Sequence, residues 1–322
     1  MDTAPPRPEA IQQAPSLVNP VFLNSPQFQS DGLCARVNHS VVVKVETINP
    51  IRSFKGRGAW LAVRELIAGG EADEQHGIVV ASSGNFGQAI AYAGRAHRIP
   101  VTVFVDGNAN PVKVARIRGF GAEVVLIGSD FDEAHEHART RARDMGQTLV
   151  TDGRETAFAV GAGTIALEVT QAIGAGRVPA IDTAYVPVGN GALIVGIGTW
   201  LRHASPSTRV VGVQAAGAPS MTLSWRAGKP IETERADTSA EGLATRVPVA
   251  EAVQAMASVV DDMVLVSEEA LVEAQHDLTS ELGILVEAAG AAAWAACVAD
   301  SASRSASLII ITGSNIRTEQ LR

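Results

Sequence analysis

Three short segments of this 322-residue chain carry residue types suited to covalent or anion-binding chemistry. The first is Asn49-Pro50-Ile51-Arg52-Ser53-Phe54-Lys55-Gly56-Arg57-Gly58-Ala59. Its one lysine stands where a helix is predicted to open and run on through residues 61–67. A cation there opposes the positive end of the helix dipole. The same field favours loss of the proton, and a neutral amine can form a Schiff base with a carbonyl compound. By itself the segment also fits an ordinary surface lysine beside Arg52 and Arg57. The second segment is Ala81-Ser82-Ser83-Gly84-Asn85-Phe86-Gly87-Gln88-Ala89. It follows an apolar run and precedes a helical pattern. Two hydroxyls, two glycines and the N–H groups of a helix start suit a carboxylate or a phosphate. A plain strand-to-helix turn with a Ser or Asn cap would look the same. The third, Pro187-Val188-Gly189-Asn190-Gly191-Ala192-Leu193, has the same setting, and its glycines let backbone N–H groups approach a phosphate. A dinucleotide fingerprint fits it poorly. The spacing departs from Gly-x-Gly-x-x-Gly, and the next predicted strand ends in Gln214 where an acidic residue would hold a ribose.

Such segments need a scaffold that sets strand ends beside helix starts. Apolar runs predict strands over 78–81, 101–105, 123–127 and 147–150. Helical patterns over 86–97, 111–119 and 130–145 separate them, the last with Ser129 as N-cap. A second series has strands over 182–187, 209–214, 263–266 and 308–311. Its helices are predicted over 158–173, 192–203, 249–258, from Ser267 as N-cap to Leu282, and over 287–299. Residues 217–246 show no period and are expected to be irregular. Strands alternating with helices indicate βαβ units and parallel sheets, so the expected class is α/β with two open sheets. Ligands of such sheets sit beyond the carboxyl ends of the strands, where all three segments fall.

Composition narrows the function classes. Hydrophobic residues at 46% supply a sizeable core, and the length allows about two domains. The formal charge of −8 argues against a nucleic-acid partner. Residues 288–299 form the longest apolar stretch noted, too short for a membrane span of roughly 20 residues. Cys34 and Cys297 cannot build a disulfide framework and lack metal-ligand spacing. The proline-rich first 16 residues lack a signal-peptide pattern and are expected to form a loose arm, which makes a cytoplasmic enzyme the default.

In this order and spacing, Ser53-Phe54-Lys55-x-Arg57-Gly58-Ala59, Ser82-Ser83-Gly84-Asn85-x-Gly87-Gln88 and the Gly189 loop resemble the fold-type II pyridoxal-phosphate enzymes. The nearest branch is that of the serine/threonine dehydratases, which includes serine racemase. Ser239-Ala240-Glu241-Gly242-Leu243-Ala244, Glu287-Ala288-Ala289-Gly290-Ala291 and Thr312-Gly313-Ser314-Asn315 are similar to later motifs of that branch. The resemblance covers about Asn19 to Asn315. It implies a tryptophan synthase β-like fold with two domains, each an open, mostly parallel sheet flanked by helices. The large domain would be 1–76 and 153–322. The small domain, 77–152, would carry the Ser82–Asn85 loop.

The resemblance also implies roles. Lys55 would form the Schiff base with pyridoxal 5'-phosphate, and Phe54 would pack beside the cofactor. Asn85 would bond its phenolic oxygen. Gly189, Asn190, Gly191, Ala192 and Leu193 would cradle its phosphate, and Thr312 would face the pyridine nitrogen. Ser82, Ser83, Gly84, Asn85 and Phe86 would contact the substrate, and Ser83 would be the second acid/base of a racemase. The implied activity is dehydration and deamination of a β-hydroxy amino acid to a 2-oxo acid and ammonia, by α-proton abstraction and β-elimination. The alternatives are a β-replacement synthase, similar to cysteine synthase or threonine synthase, and an amino-acid racemase. A homodimer is the implied assembly. Phe86 replaces the branch's usual histidine, which makes the pocket edge more apolar and could suit a bulkier substrate such as phenylserine. Gln214, Ala218 and Ser220 stand where relatives carry ligands of a divalent cation, so no metal is expected there.

Overall fold

The computed structural model describes residues 4–107, 109–300 and 305–316. From the N-terminus run α1 (Pro8–Gln13), β1 (Gln27–Gln29), α2 (Asp31–Val37), β2 (Ser40–Val45) and α3 (Lys55–Ala68). Next come β3 (Ile78–Ala81), α4 (Asn85–His97), β4 (Val101–Val105), α5 (Pro111–Gly119), β5 (Glu123–Leu126), α6 (Phe131–Met145) and β6 (Thr148–Leu149). The chain continues through α7 (Thr156–Gly174), β7 (Thr183–Pro187), α8 (Ala192–Ala204), β8 (Arg209–Ala215) and α9 (Ser220–Ala227). It ends with α10 (Ala250–Val259), β9 (Asp262–Val266), α11 (Glu268–Leu282), α12 (Ala288–Ala299) and β10 (Ala306–Ile311).

Two sheets result. The four-stranded sheet has the order β5-β4-β3-β6 and is parallel throughout. Its chain moves outward from β3 to β5, then crosses back to β6 on the far side of β3. The carboxyl ends of β3 and β6 therefore flank a topological switch point. The six-stranded sheet has the order β1-β2-β10-β7-β8-β9, with β1 as an antiparallel edge and the other strands parallel. The neighbours β2, β10 and β7 run the same way. The segments leaving them, toward Lys55, at Thr312 and at Gly189, thus emerge along one edge.

Apolar side chains cover both faces of the larger sheet. All residues of β10 and of β7 are buried, as continuous apolar runs in parallel sheets usually are. Helices α7, α8 and α10 pack on one face, and α2, α11 and α12 on the other. A Cβ added at Gly161 would lie 2.5 Å from the Gly58 Cα, so α7 and α3 cross in backbone contact. Helix α7 corrects the expectation about apolar stretches. Its 19 residues are long and apolar enough to cross a membrane by length and composition, yet 78% of its apolar window is buried, as in a core helix.

A buried ionic cluster fixes α3 against β2 and α7. Arg57 donates to Glu46 through Nε and Nη2, both at 2.8 Å, and to Glu168 at 2.6 and 3.0 Å. Lys44 donates to Glu168 at 2.5 Å and to the Ser25 carbonyl at 2.9 Å. Burial pushes the Glu168 carboxyl up, but the Arg57 hydrogen bonds and charge outweigh it and leave it below its ordinary range.

The structure departs from the sequence reading in four further places. Residues 8–16 are not a loose arm: they form α1 and a 3₁₀ turn, and the buried Ile11 inserts into the core beside α7. Residues 17–48, given no element above, supply β1, α2 and β2. The stretch 217–246 contains α9. Helix α6 is capped by Asp130, which accepts from the Glu133 N–H at 3.0 Å, while Ser129 bonds the Glu133 carboxylate.

Candidate active site

The turn before α3 is organised by Asn49. Its Oδ1 accepts from the N–H groups of Ile51 and Ser53, and its Nδ2 donates to the carbonyls of Glu46 and Ser53. Phe54 is already helical, and the Lys55 N–H donates to Ser53 Oγ at 3.4 Å. Lys55, its first residue, projects into the space between the two sheets. Its Nζ lies 5.1 Å from the Phe54 ring centroid and 5.9 Å from that of Phe86. It donates to both oxygens of Asp152, at 2.6 and 2.7 Å. Lys55 and Asp152 are only 17% and 18% exposed.

The loop after β3 enters α4 with a hydroxyl at its root. Ser82 Oγ accepts from the N–H groups of Gly84 and Gly87, at 3.2 and 3.1 Å. Its hydroxyl proton remains to be given elsewhere. Ser83, Gly84 and Asn85 are half-buried, and nothing lies within 4 Å of the Cβ position of Gly84. Asn85 Nδ2 donates to Glu287 Oε1 at 2.6 Å, and its Oδ1 accepts from Asn315 Nδ2 at 2.8 Å. One Nδ2 hydrogen of Asn85 stays available to a ligand. Phe86 is 5% exposed, with its ring edge-on to Phe158 at 5.2 Å.

The loop after β7 ends on Gly191, whose φ of 95° requires a residue without a side-chain clash, and it opens directly into α8. Gly189 packs on the Gly242 carbonyl. Asn190 is held at both ends of its amide: Oδ1 accepts from Thr245 at 3.0 Å, and Nδ2 donates to Asp152 at 3.4 Å. Asp152 thus joins the lysine to the glycine loop. Thr312, buried at the end of β10, accepts from the Phe54 N–H through its carbonyl, and its hydroxyl donates to the Ala289 carbonyl at 3.4 Å. The named segments therefore surround one cleft.

Some residues of this cleft were given no role from sequence. Asp152 lies in a short polar turn, Thr151 to Glu155, with no motif of its own. Glu287 and Asn315, part of quoted motifs, hold Asn85. Burial raises the Glu287 carboxyl above its ordinary range against the pull of Lys113 and the Asn85 hydrogen bond. Lys113 on α5 donates to Glu241 at 2.5 Å, across the gap between the sheets. A cavity of about 340 Å³ lies beside them, lined by Lys113, Ser239, Glu241, Glu287 and Asn315 among others. Where relatives of this branch carry cation ligands, Gln214 Oε1 accepts from the Thr222 N–H and hydroxyl, and Ser220 donates to the Thr245 carbonyl.

Known proteins resemble this chain along most of its length. The family described as "Pyridoxal-phosphate dependent enzyme" matches residues 18–313. The L-threonine ammonia-lyase of Thermotoga maritima is 31% identical over 309 residues, covering 96% of this chain and 75% of that protein. The processed form of threonine deaminase isoform 2 from Solanum lycopersicum superposes with a TM-score of 0.88 at 28% identity, covering 97% of this chain and 85% of that one. Maize serine racemase does so with a TM-score of 0.89 at 26% identity, covering 99% and 96%.

The donors present fit pyridoxal phosphate. A lysine amine is enclosed between Phe54 and Phe86, an uncapped glycine loop opens a helix one side chain away, and a neutral hydroxyl rather than a carboxylate ends β10. The chain belongs to the pyridoxal-phosphate-dependent enzyme family and has its fold-type II architecture.

Proposed function

We propose that this chain is an ammonia-lyase that dehydrates a β-hydroxy amino acid of the serine/threonine type, releasing a 2-oxo acid and ammonia. The enclosed Lys55 amine, placed between the Ser82–Asn85 loop and the Gly189 loop, carries the proposal. The threonine ammonia-lyase and threonine deaminase relatives support it. When bound, the cofactor supplies the electron sink for the substrate's α-carbon. The remaining work falls to side chains. Lys55 takes the α-proton at Nζ and returns a proton to the departing β-hydroxyl, which leaves as water. Ser82, Ser83 and the N–H groups at the start of α4 receive the substrate carboxylate. Phe54 would pack beside the ring, Asn85 would give its remaining N–H to the phenolic oxygen, and residues 189–193 would hold the phosphate. Thr312, whose hydroxyl donates to the Ala289 carbonyl, would set a neutral oxygen rather than a carboxylate near the ring nitrogen and so would hold no proton on it, which favours prompt elimination.

The Phe86 ring is committed to Phe158 and offers little free area to a phenyl group, so we favour serine or threonine over phenylserine. A racemase is the second reading, supported by the likeness to maize serine racemase and by Ser83 on the loop. We take the working form to be a cytoplasmic homodimer. Incubation with L-serine and L-threonine should release equal amounts of 2-oxo acid and ammonia. Formation of the D-amino acid without 2-oxo acid would favour the racemase, and no reaction with any β-hydroxy amino acid would overturn the proposal.

A further inference from the structure

Asp152 is the first partner of the Lys55 amine, and no role has been given to it so far. Its carboxylate sits 3.4 Å from Asn190 Nδ2, in the middle of the glycine loop. The next residue binds the two segments closer: a Cβ on Gly153 would stand 2.8 Å from the Asn190 carbonyl oxygen. An anion cradled by residues 189–193 therefore has a carboxylate as its neighbour.

We propose that Asp152 makes the Gly189–Leu193 loop a site for a singly ionised phosphate monoester, which keeps its remaining acidic proton and donates it as a hydrogen bond to the Asp152 carboxylate. The inference rests on the reading of that loop as the phosphate cradle. A doubly ionised phosphate would face a like charge at close range. A P–OH group would instead gain a short, charge-assisted hydrogen bond. The only cation bonded to Asp152 among the described residues is Lys55, whose Nζ would turn toward the cofactor's aldehyde when that group is bound. Other groups nearby do not replace it. Asn190 and Thr245 are neutral. Lys113 is bonded to Glu241, and Arg154 is exposed. Glu251 on α10 lines a small cavity beside Gly153 together with Arg154 and Glu155. Burial above all, with a smaller push from the Asp152 charge, raises the Glu155 carboxyl to about 7, so Glu155 carries little charge below that pH.

Phosphorus-31 NMR of the cofactor-loaded enzyme tests this without reference to turnover. A free phosphate monoester loses its second proton near pH ~6. A like charge within hydrogen-bond range displaces such an ionisation upward by about one to three pH units. The wild-type resonance should thus stay at the singly ionised position through about pH 7. In Asp152→Asn, an isosteric change, its midpoint should fall by at least about one pH unit, and Asp152→Glu should restore most of it. A wild-type resonance at the doubly ionised position throughout, or one that titrates identically in Asp152→Asn, would overturn the role of Asp152. A wild-type phosphate that tumbles free of the protein would instead overturn the loop assignment on which it rests.

Discussion

Lys55, Asp152 and Glu155 form a short line of ionisable groups whose order follows from geometry. Lys55 bonds Asp152 directly, and Glu155 lies at the start of α7 with Oε1 accepting from the Thr151 N–H and Oε2 buried without a partner. A buried carboxylate oxygen with no donor disfavours the charged form, which is why burial is the main cause of the Glu155 shift. The sign of its effect on stability follows. The folded chain holds the proton to about pH 7, whereas the unfolded chain releases it near the ordinary glutamate value of 4.5. Between those values the unfolded state binds fewer protons, so stability is full below the lower value and declines as pH rises through the upper one. Glu155→Gln keeps the neutral shape and removes the titration. The variant should gain on the wild type by on the order of 2 kcal/mol between about pH 5 and about pH 8, after allowance for partial exposure. Denaturant unfolding at the two pH values measures this, and a constant difference would contradict it.

At the scale of elements, α3 matters most because it carries the lysine, and its position is set by residues far away in sequence. Arg57 reaches Glu46 at the end of β2 and Glu168 in α7, and all three are buried. Arg57→Ala would leave Glu46 and Glu168 in the interior without their guanidinium, with Lys44 and the Asn24 N–H still on Glu168 and Ser25 still on Glu46. The expected loss is about 3–5 kcal/mol of folding stability, read from thermal or denaturant unfolding; a change within experimental error would show that the cluster does not anchor α3. The same cluster explains what the sequence concealed. Strand β2 contains Lys44, and a charged residue in a short apolar run argues against a buried strand unless a partner is known. That partner, Glu168, stands 124 residues away. Helix α9 mixes polar and apolar residues without a clear stripe and becomes helical where Ser220, Thr222 and Ser224 find buried partners. By contrast Ile78–Ala81, Val101–Val105 and Pro111–Gly119 were legible residue for residue, because apolar runs and a proline at a helix start are local signals. The glycine, serine and lysine motifs were legible for the same reason. Asp152 was not, since its meaning lies in a contact with Lys55 across 97 residues.

The whole molecule sets one parallel and one mostly parallel sheet with their strand ends toward one cleft. Asn85 on Glu287 and Asn315, and Lys113 on Glu241, tie the small sheet's loops to the large sheet's edge. Lys55 stands at the meeting point, beside Phe86 from one body and Asp152 from the segment that joins both. The account depends on that amine being the one that captures the cofactor. Borohydride reduction of the loaded enzyme, followed by peptide mass mapping, tests this most directly. The pyridoxyl label should fall on Lys55 alone and vanish, with turnover, in Lys55→Ala. Label on another lysine, or an unlabelled chain that still releases 2-oxo acid, would contradict it.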